Sequence, residues 1–197
     1  MSVQRLYIKK VYRIDPNTDV PKDERILWID DAAGLAAMIE VLDPKASLHF
    51  VDCHYLEERL KDETLIPTTD PYQYLMLPDE AYGKTRLQER DANAAAMAVL
   101  TDAEPEILYD RKERGKLIRQ IANRDLTDPT HRNRKTVFEL LRRFWQRGAN
   151  PNAFLTDRHL GDWHRKKRET DPAKQEIAQG LALLRRTSAI RWVMPRG

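Results

Sequence analysis

The chain has 197 residues, enough for one domain of full size or two to three small ones. It is 41% hydrophobic and 33% charged, and no apolar run approaches the ~20 residues needed to cross a bilayer, so a membrane span is excluded. The net charge of +3 hides an asymmetry: residues 1–110 carry 12 Lys/Arg against 22 Asp/Glu, whereas residues 111–197 carry 22 against 9. The back half is therefore the candidate polyanion binder, with nucleic acid as the natural partner, and the acidic front half is not.

The N-terminus, MSVQRLYIKK, lacks the apolar core of a signal peptide, which leads us to expect a cytoplasmic location. A single cysteine, Cys53, precludes an internal disulfide and fits a reducing compartment.

Residues 3–66 read as β-rich. VQRLYIKKVYRI, DERILWID, GLAAMIEVL and SLHFVD are short β-prone segments broken by turn material, as in a small antiparallel sheet or partly closed barrel. Trp28 is expected in its core. HYLEERLK (54–61) has the pattern of one or two helical turns, and Leu65-Ile66-Pro67 reads as a last edge strand. A connector with Asp70-Pro71 and Pro78 leads to a helical pattern from Asp79 to about Leu100, alanine-rich in its second half.

Pro105 precedes a helix expected at about 107–123, with Leu117, Ile118, Ile121 and Ala122 inward and Arg111, Lys112, Arg114, Lys116 and Arg119 outward. LTDPTHRN (126–133) cannot continue a helix, because Pro129 breaks it. In KTVFELLRRFWQRGANPN (135–152), Val137, Leu140, Leu141, Phe144 and Trp145 recur at i, i+3, i+4, i+7 and i+8, one face of a helix. The opposite face carries Lys135, Glu139, Arg142, Arg143, Gln146 and Arg147. Gly148 stands where a glycine stops a helix.

Helix, break and basic second helix form a helix-turn-helix-like arrangement, although the break is longer than a tight turn. In that arrangement the second helix enters the major groove by its N-terminus. Arg132, Arg134, Lys135 and Thr136 would then lie nearest the bases, and Arg142, Arg143 and Arg147 nearer the backbone. Further on, Arg165-Lys166-Lys167-Arg168 is either a phosphate-contacting arm or a solvated linker. A further helix is expected from Ala173 to Arg186, and 190–194 is a short strand or a frayed tail.

The expected class is α+β. A small antiparallel β-rich domain (1–67) precedes a connector and helix (68–106), a helix-turn-helix-like DNA-binding region (107–150), and a basic C-terminal arm and tail (151–197).

The run from Arg111 through Lys116-Leu117-Ile118 to LLRRFWQRGANPNAFLTDRHLGDWHRKKR resembles the N-terminal region of Tn7-type TnsB transposases, within the Mu- and retroviral-integrase-like DDE recombinases. The most specific part is 140–152, followed by Asn152-Ala153-Phe154-Leu155. ERILWID and Asp70-Pro71-Tyr72 fit the family's β-rich leader. Gly161-Asp162-Trp163-His164 departs from the glycine- and lysine-rich stretch usual in the family, and the tail after about Pro172 does not resemble it. The resemblance implies recognition of double-stranded DNA at transposon ends for transposition, alongside other transposition proteins, in a bacterial, nucleoid-associated setting. A protein-interaction module of a transposition complex and a stand-alone regulator of transposition are the alternatives.

No catalysis and no cofactor are expected from the chain. The family's three metal-binding carboxylates sit on an RNase H-like domain that maps onto none of these residues, so the sequence reads as the front end without the catalytic part. The five histidines (His49, His54, His131, His159, His164) are scattered, and neither a Cys-x-x-Cys pair nor a glycine-rich phosphate loop is present.

Overall fold

The computed structural model of the chain describes residues 5–156. Short β-prone segments pair into an open five-stranded antiparallel sheet: β1 (Val11–Ile14), β2 (Lys22–Asp30), β3 (Leu35–Glu40), β4 (His49–Asp52) and β5 (Leu65–Pro67), in the order β4-β3-β2-β1-β5. The β2–β3 turn forms because the Asp30 carboxylate accepts the N–H groups of Ala32 and Ala33, and Gly34 takes φ +67, a conformation glycine adopts without strain. The first strand is shorter than its sequence suggests. Lys9 sits at φ +66, which interrupts the extended chain, and only residues 11–14 form the ladder.

Between β4 and β5 lies α1 (Cys53–Lys61), begun by the Asp52 side chain accepting the Tyr55 N–H. Leu56 and Leu60 of α1 pack on one face of the sheet with Tyr12, Ile26, Ala36, Met38 and Leu65. The helical region covers the other face: α2 (Lys84–Thr101), α3 (Pro105–Tyr109), α4 (Arg111–Ala122), α5 (Arg134–Gln146) and a 3-10 turn at Pro151–Phe154. Leu27, Ala37 and Ile39 of the sheet share one core with Met97, Leu100, Ile118, Ile121 and the apolar stripe of α5. Among the described residues, 5–155 form one compact unit.

Two local features set how the layers meet. The β2–β3 register shifts between Ile26 and Trp28, so Leu27 is an extra residue in its strand. Both Leu27 and Trp28 then reach the helical core, where strict alternation would send one of them to the α1 side. The expected helix at 107–123 is split as well. Asp110 is extended (φ −70, ψ 128), and its carboxylate accepts the N–H groups of Lys112 and Glu113. That cap starts α4 afresh at residue 111 and leaves α3 as a short turn beginning with Pro105.

No helix among the described residues is long and apolar enough to cross a membrane. The expected helix at 173–186 and the tail at 190–194 lie outside the described residues.

Candidate nucleic-acid interface

The apolar stripe of α5 is buried as its spacing predicts: Val137, Leu140, Leu141, Phe144 and Trp145 are each at most 8% exposed. Asn133 begins the helix. Its Oδ1 accepts the Thr136 N–H at 2.9 Å and the Thr136 hydroxyl at 3.1 Å. The helix ends in a Schellman arrangement, with Ala149 N–H donating to Phe144 O and Gly148 N–H to Trp145 O, and Gly148 at φ +89.

The first turn of α5 holds no acidic residue. Arg134 and Lys135 stand there instead, where the positive end of the helix dipole disfavours cations. Both are exposed. The Lys135 side chain is 87% exposed, and its carboxylate neighbour Glu139 is 3.9 Å away. The Arg134 guanidinium lies 5.6 Å from the ring centroid of Phe138, itself 41% exposed. This helix start offers two cations and an aromatic edge to an outside anion.

Further along α5 the basic face is not open. Arg142 donates to Ala46 O at 2.9 Å and to Pro44 O at 2.6 Å, so the β3–β4 loop lies over it. Gln146 is buried and donates to Glu40 O and Asp43 O. Arg147 is only 6% exposed: its guanidinium donates to Ala153 O and Leu155 O and lies over the Tyr72 ring. Of the six residues expected on an outward face, Gln146 and Arg147 are buried and Arg142 is bonded into the sheet's loop. The reason is that the sheet's loop packs on one side of the helix's C-terminal end and the 151–155 turn with Tyr72 on the other, which the sequence of the helix cannot reveal.

Arg132 is half-buried, donating to Asn93 Oδ1, Ala92 O and the carbonyls of Pro129 and His131, so it ties the 123–133 connector to α2. Arg124 makes a similar tie, from Thr130 to Ala96 O. Arg143 is half-buried. Arg114 points inward, not outward as expected. It donates to the carbonyls of Leu108 and Tyr109, lies over the Trp145 ring at 5.4 Å, and burial pulls its pKa down from the ordinary arginine value. The structure thus brings Arg134, Lys135 and Thr136 together at one exposed end and disperses the rest. Arg165, Lys166, Lys167 and Arg168 lie outside the described residues.

Residues 90–157 match the family described as TnsB second domain. The match runs from within α2 to the end of the helical region. The chain is TnsB-related. Over 136 residues it is 26% identical to the Transposon Tn7 transposition protein TnsB of Escherichia coli. That alignment takes in 69% of this chain and 17% of the relative, so the TnsB-related chain spans a small part of the protein it matches. Among the described residues no group of three or more His, Cys, Asp or Glu side chains is placed to hold a metal ion.

Proposed function

We propose that this chain is a DNA-binding portion of a Tn7-like transposase that recognises transposon-end sites and performs no catalysis of its own. The observation that carries the reading is the exposed start of α5: two cations in a first turn without an acid, inside the stretch similar to the TnsB second domain. Arg134 and Lys135 meet the DNA with Thr136, and Arg143 extends the contact toward the backbone. Arg132, Arg142 and Arg147 act as positioning residues, since their donors hold α5 against α2, the sheet and the 151–155 turn. The Arg165–Arg168 cluster supplies further phosphate contacts. In this reading the protein works at the nucleoid in the bacterial cytoplasm.

Fluorescence anisotropy with a labelled duplex from the element's end, against a scrambled duplex across a salt series, tests this. Binding that prefers the end and survives physiological salt supports it. Equal, salt-labile binding to both duplexes overturns site recognition and leaves a basic surface alone.

A further inference from the structure

Two adjoining cavities form a groove bounded by the sheet, the start of α4 and one side of α5, with Phe138, whose ring Arg134 overlies, at its rim. One, about 420 Å³, is lined by Arg111, Arg114, Arg142, Phe138, Trp145 and Leu48 among others, and by no carboxylate. The other, about 530 Å³, shares Leu48, Arg111 and Arg114 with it and continues to Trp28 and Phe50. At this second end Asp30, Glu106 and Asp110 line the wall. The groove therefore has a three-arginine end, an apolar floor and a carboxylate end.

Unused donors gather at the arginine end. The exposed Arg111 side chain has no hydrogen bond or ion pair among the described residues. The Trp145 indole Nε1–H is buried and has no acceptor among them. Phe50 and Phe138, 46% and 41% exposed, flank the two ends with apolar surface open to an outside group.

From this arrangement we infer that the groove binds a peptide segment of a protein partner, one with a carboxylate beside an apolar side chain and a basic residue further on. The partner carboxylate meets Arg111, with the positive charge of Arg114 and Arg142 nearby; the apolar side chain lies against Phe138 and Leu48, and the basic residue faces Asp30, Glu106 and Asp110. A duplex backbone fits this groove poorly. Its phosphates are uniformly negative and would oppose the three carboxylates at one end, whereas a peptide of mixed charge satisfies both ends. The inference does not require a DNA contact at Arg134 and Lys135.

The test uses the full chain and two synthetic peptides, acetyl-EEFLKK-amide and acetyl-QQFLKK-amide, with the Trp145 indole N–H resonance as the reporter. The Trp145→Phe variant assigns that resonance. The acidic peptide should move it saturably, and the glutamine peptide should bind about tenfold or more weakly, as loss of charge-assisted hydrogen bonds requires. Arg111→Glu should abolish the shift with an unchanged thermal melt, since the Arg111 side chain supports no contact in the fold. An unmoved resonance with both peptides, or equal binding of the two, overturns the inference. So does a duplex oligonucleotide that displaces the acidic peptide from the Arg134→Ala/Lys135→Ala variant, which would make the groove itself a nucleic-acid contact.

Discussion

Arg25 reaches across 121 residues of sequence to the carbonyl oxygen of Gln146, with Nε at 3.2 Å and Nη2 at 3.0 Å. It is 1% exposed, and its remaining donors go to Lys9 O at 2.7 Å and Asp70 Oδ1 at 2.8 Å. The last carbonyls of a helix lack intrahelical partners and carry partial negative charge, so a buried guanidinium there both caps and neutralises. Gln146 answers in the other direction by donating to Glu40 O and Asp43 O. The sheet and the C-terminal end of α5 thus grip each other through main-chain oxygens.

Replacing Arg25 by methionine keeps most of the volume and removes every donor. We expect a loss of about 3 kcal/mol in urea unfolding, because each orphaned buried acceptor costs ~1–3 kcal/mol. Arg25→Lys should recover only part of it, since one ammonium cannot reproduce the planar fork. A loss under about 1 kcal/mol would mean that water serves these carbonyls instead.

Trp28, Tyr109 and Trp145 form a ladder of rings from sheet to α3 to α5, with centroids 5.5 and 6.1 Å apart and interplanar angles of 7° and 26°. Trp145→Ala should destabilise the chain by about 3–5 kcal/mol, the usual cost of deleting a buried aromatic. Burial also pushes the Tyr109 pKa up to about 12, so this tyrosine should remain neutral in a spectrophotometric titration after the exposed tyrosines have ionised. Ionisation of all tyrosines near pH 10 in the folded chain would show the ladder to be solvated.

Arg134→Ala with Lys135→Ala should weaken duplex binding at all sequences and flatten its salt dependence by up to about two phosphate contacts, at roughly 0.9 in log–log slope each. Stability should hold or rise slightly, because two cations leave the positive end of the helix dipole. Arg147→Ala should behave oppositely, lowering the melting temperature because its guanidinium serves buried carbonyls. An unchanged salt slope in the double variant would remove the start of α5 from the DNA contact.

The imidazole of His49 lies 3.0 Å from the Glu24 carboxylate, and the hydrogen bond to Glu24 raises its pKa, against a smaller opposing effect from burial and from Lys22. A raised folded-state pKa means that the protonated form favours folding. Its contribution is complete below the unfolded value of about 6.5 and is lost as pH rises through the higher folded value. The melting-temperature gap between the native chain and His49→Gln should therefore narrow from about pH 5.5 to about pH 8.5. The side chain is 43% exposed, so solvent screening keeps the effect small. A gap that widens with pH would reverse the assigned sign.

Sequence periodicity and capping chemistry determined the elements that depend on neighbours a few residues away. The apolar series in 137–145 specifies α5 with its buried face, Gly148 its end, and the turn residues around 15–21 and 31–34 the hairpins. The α+β class follows from the same local patterns, and the resemblance to TnsB rests on the residue run from Arg111 onward, most specifically 140–152. Tertiary structure alone decided which basic residues stay free. Arg25 looks like a polar position in an alternating strand, yet it is fully buried because α5 ends against it. Arg142 and Arg147 have the spacing of an open helical face, yet carbonyls from residues 44–46 and 153–155 take their donors. Arg114 belongs by periodicity to the outside of α4, but the Asp110 cap restarts that helix so that its guanidinium lies over Trp145. In each case the deciding partner is a main-chain oxygen or a ring brought in from another element. Such partners have no signature in the residue type or in its local spacing, because every residue carries a carbonyl and only the fold determines which ones converge on an arginine.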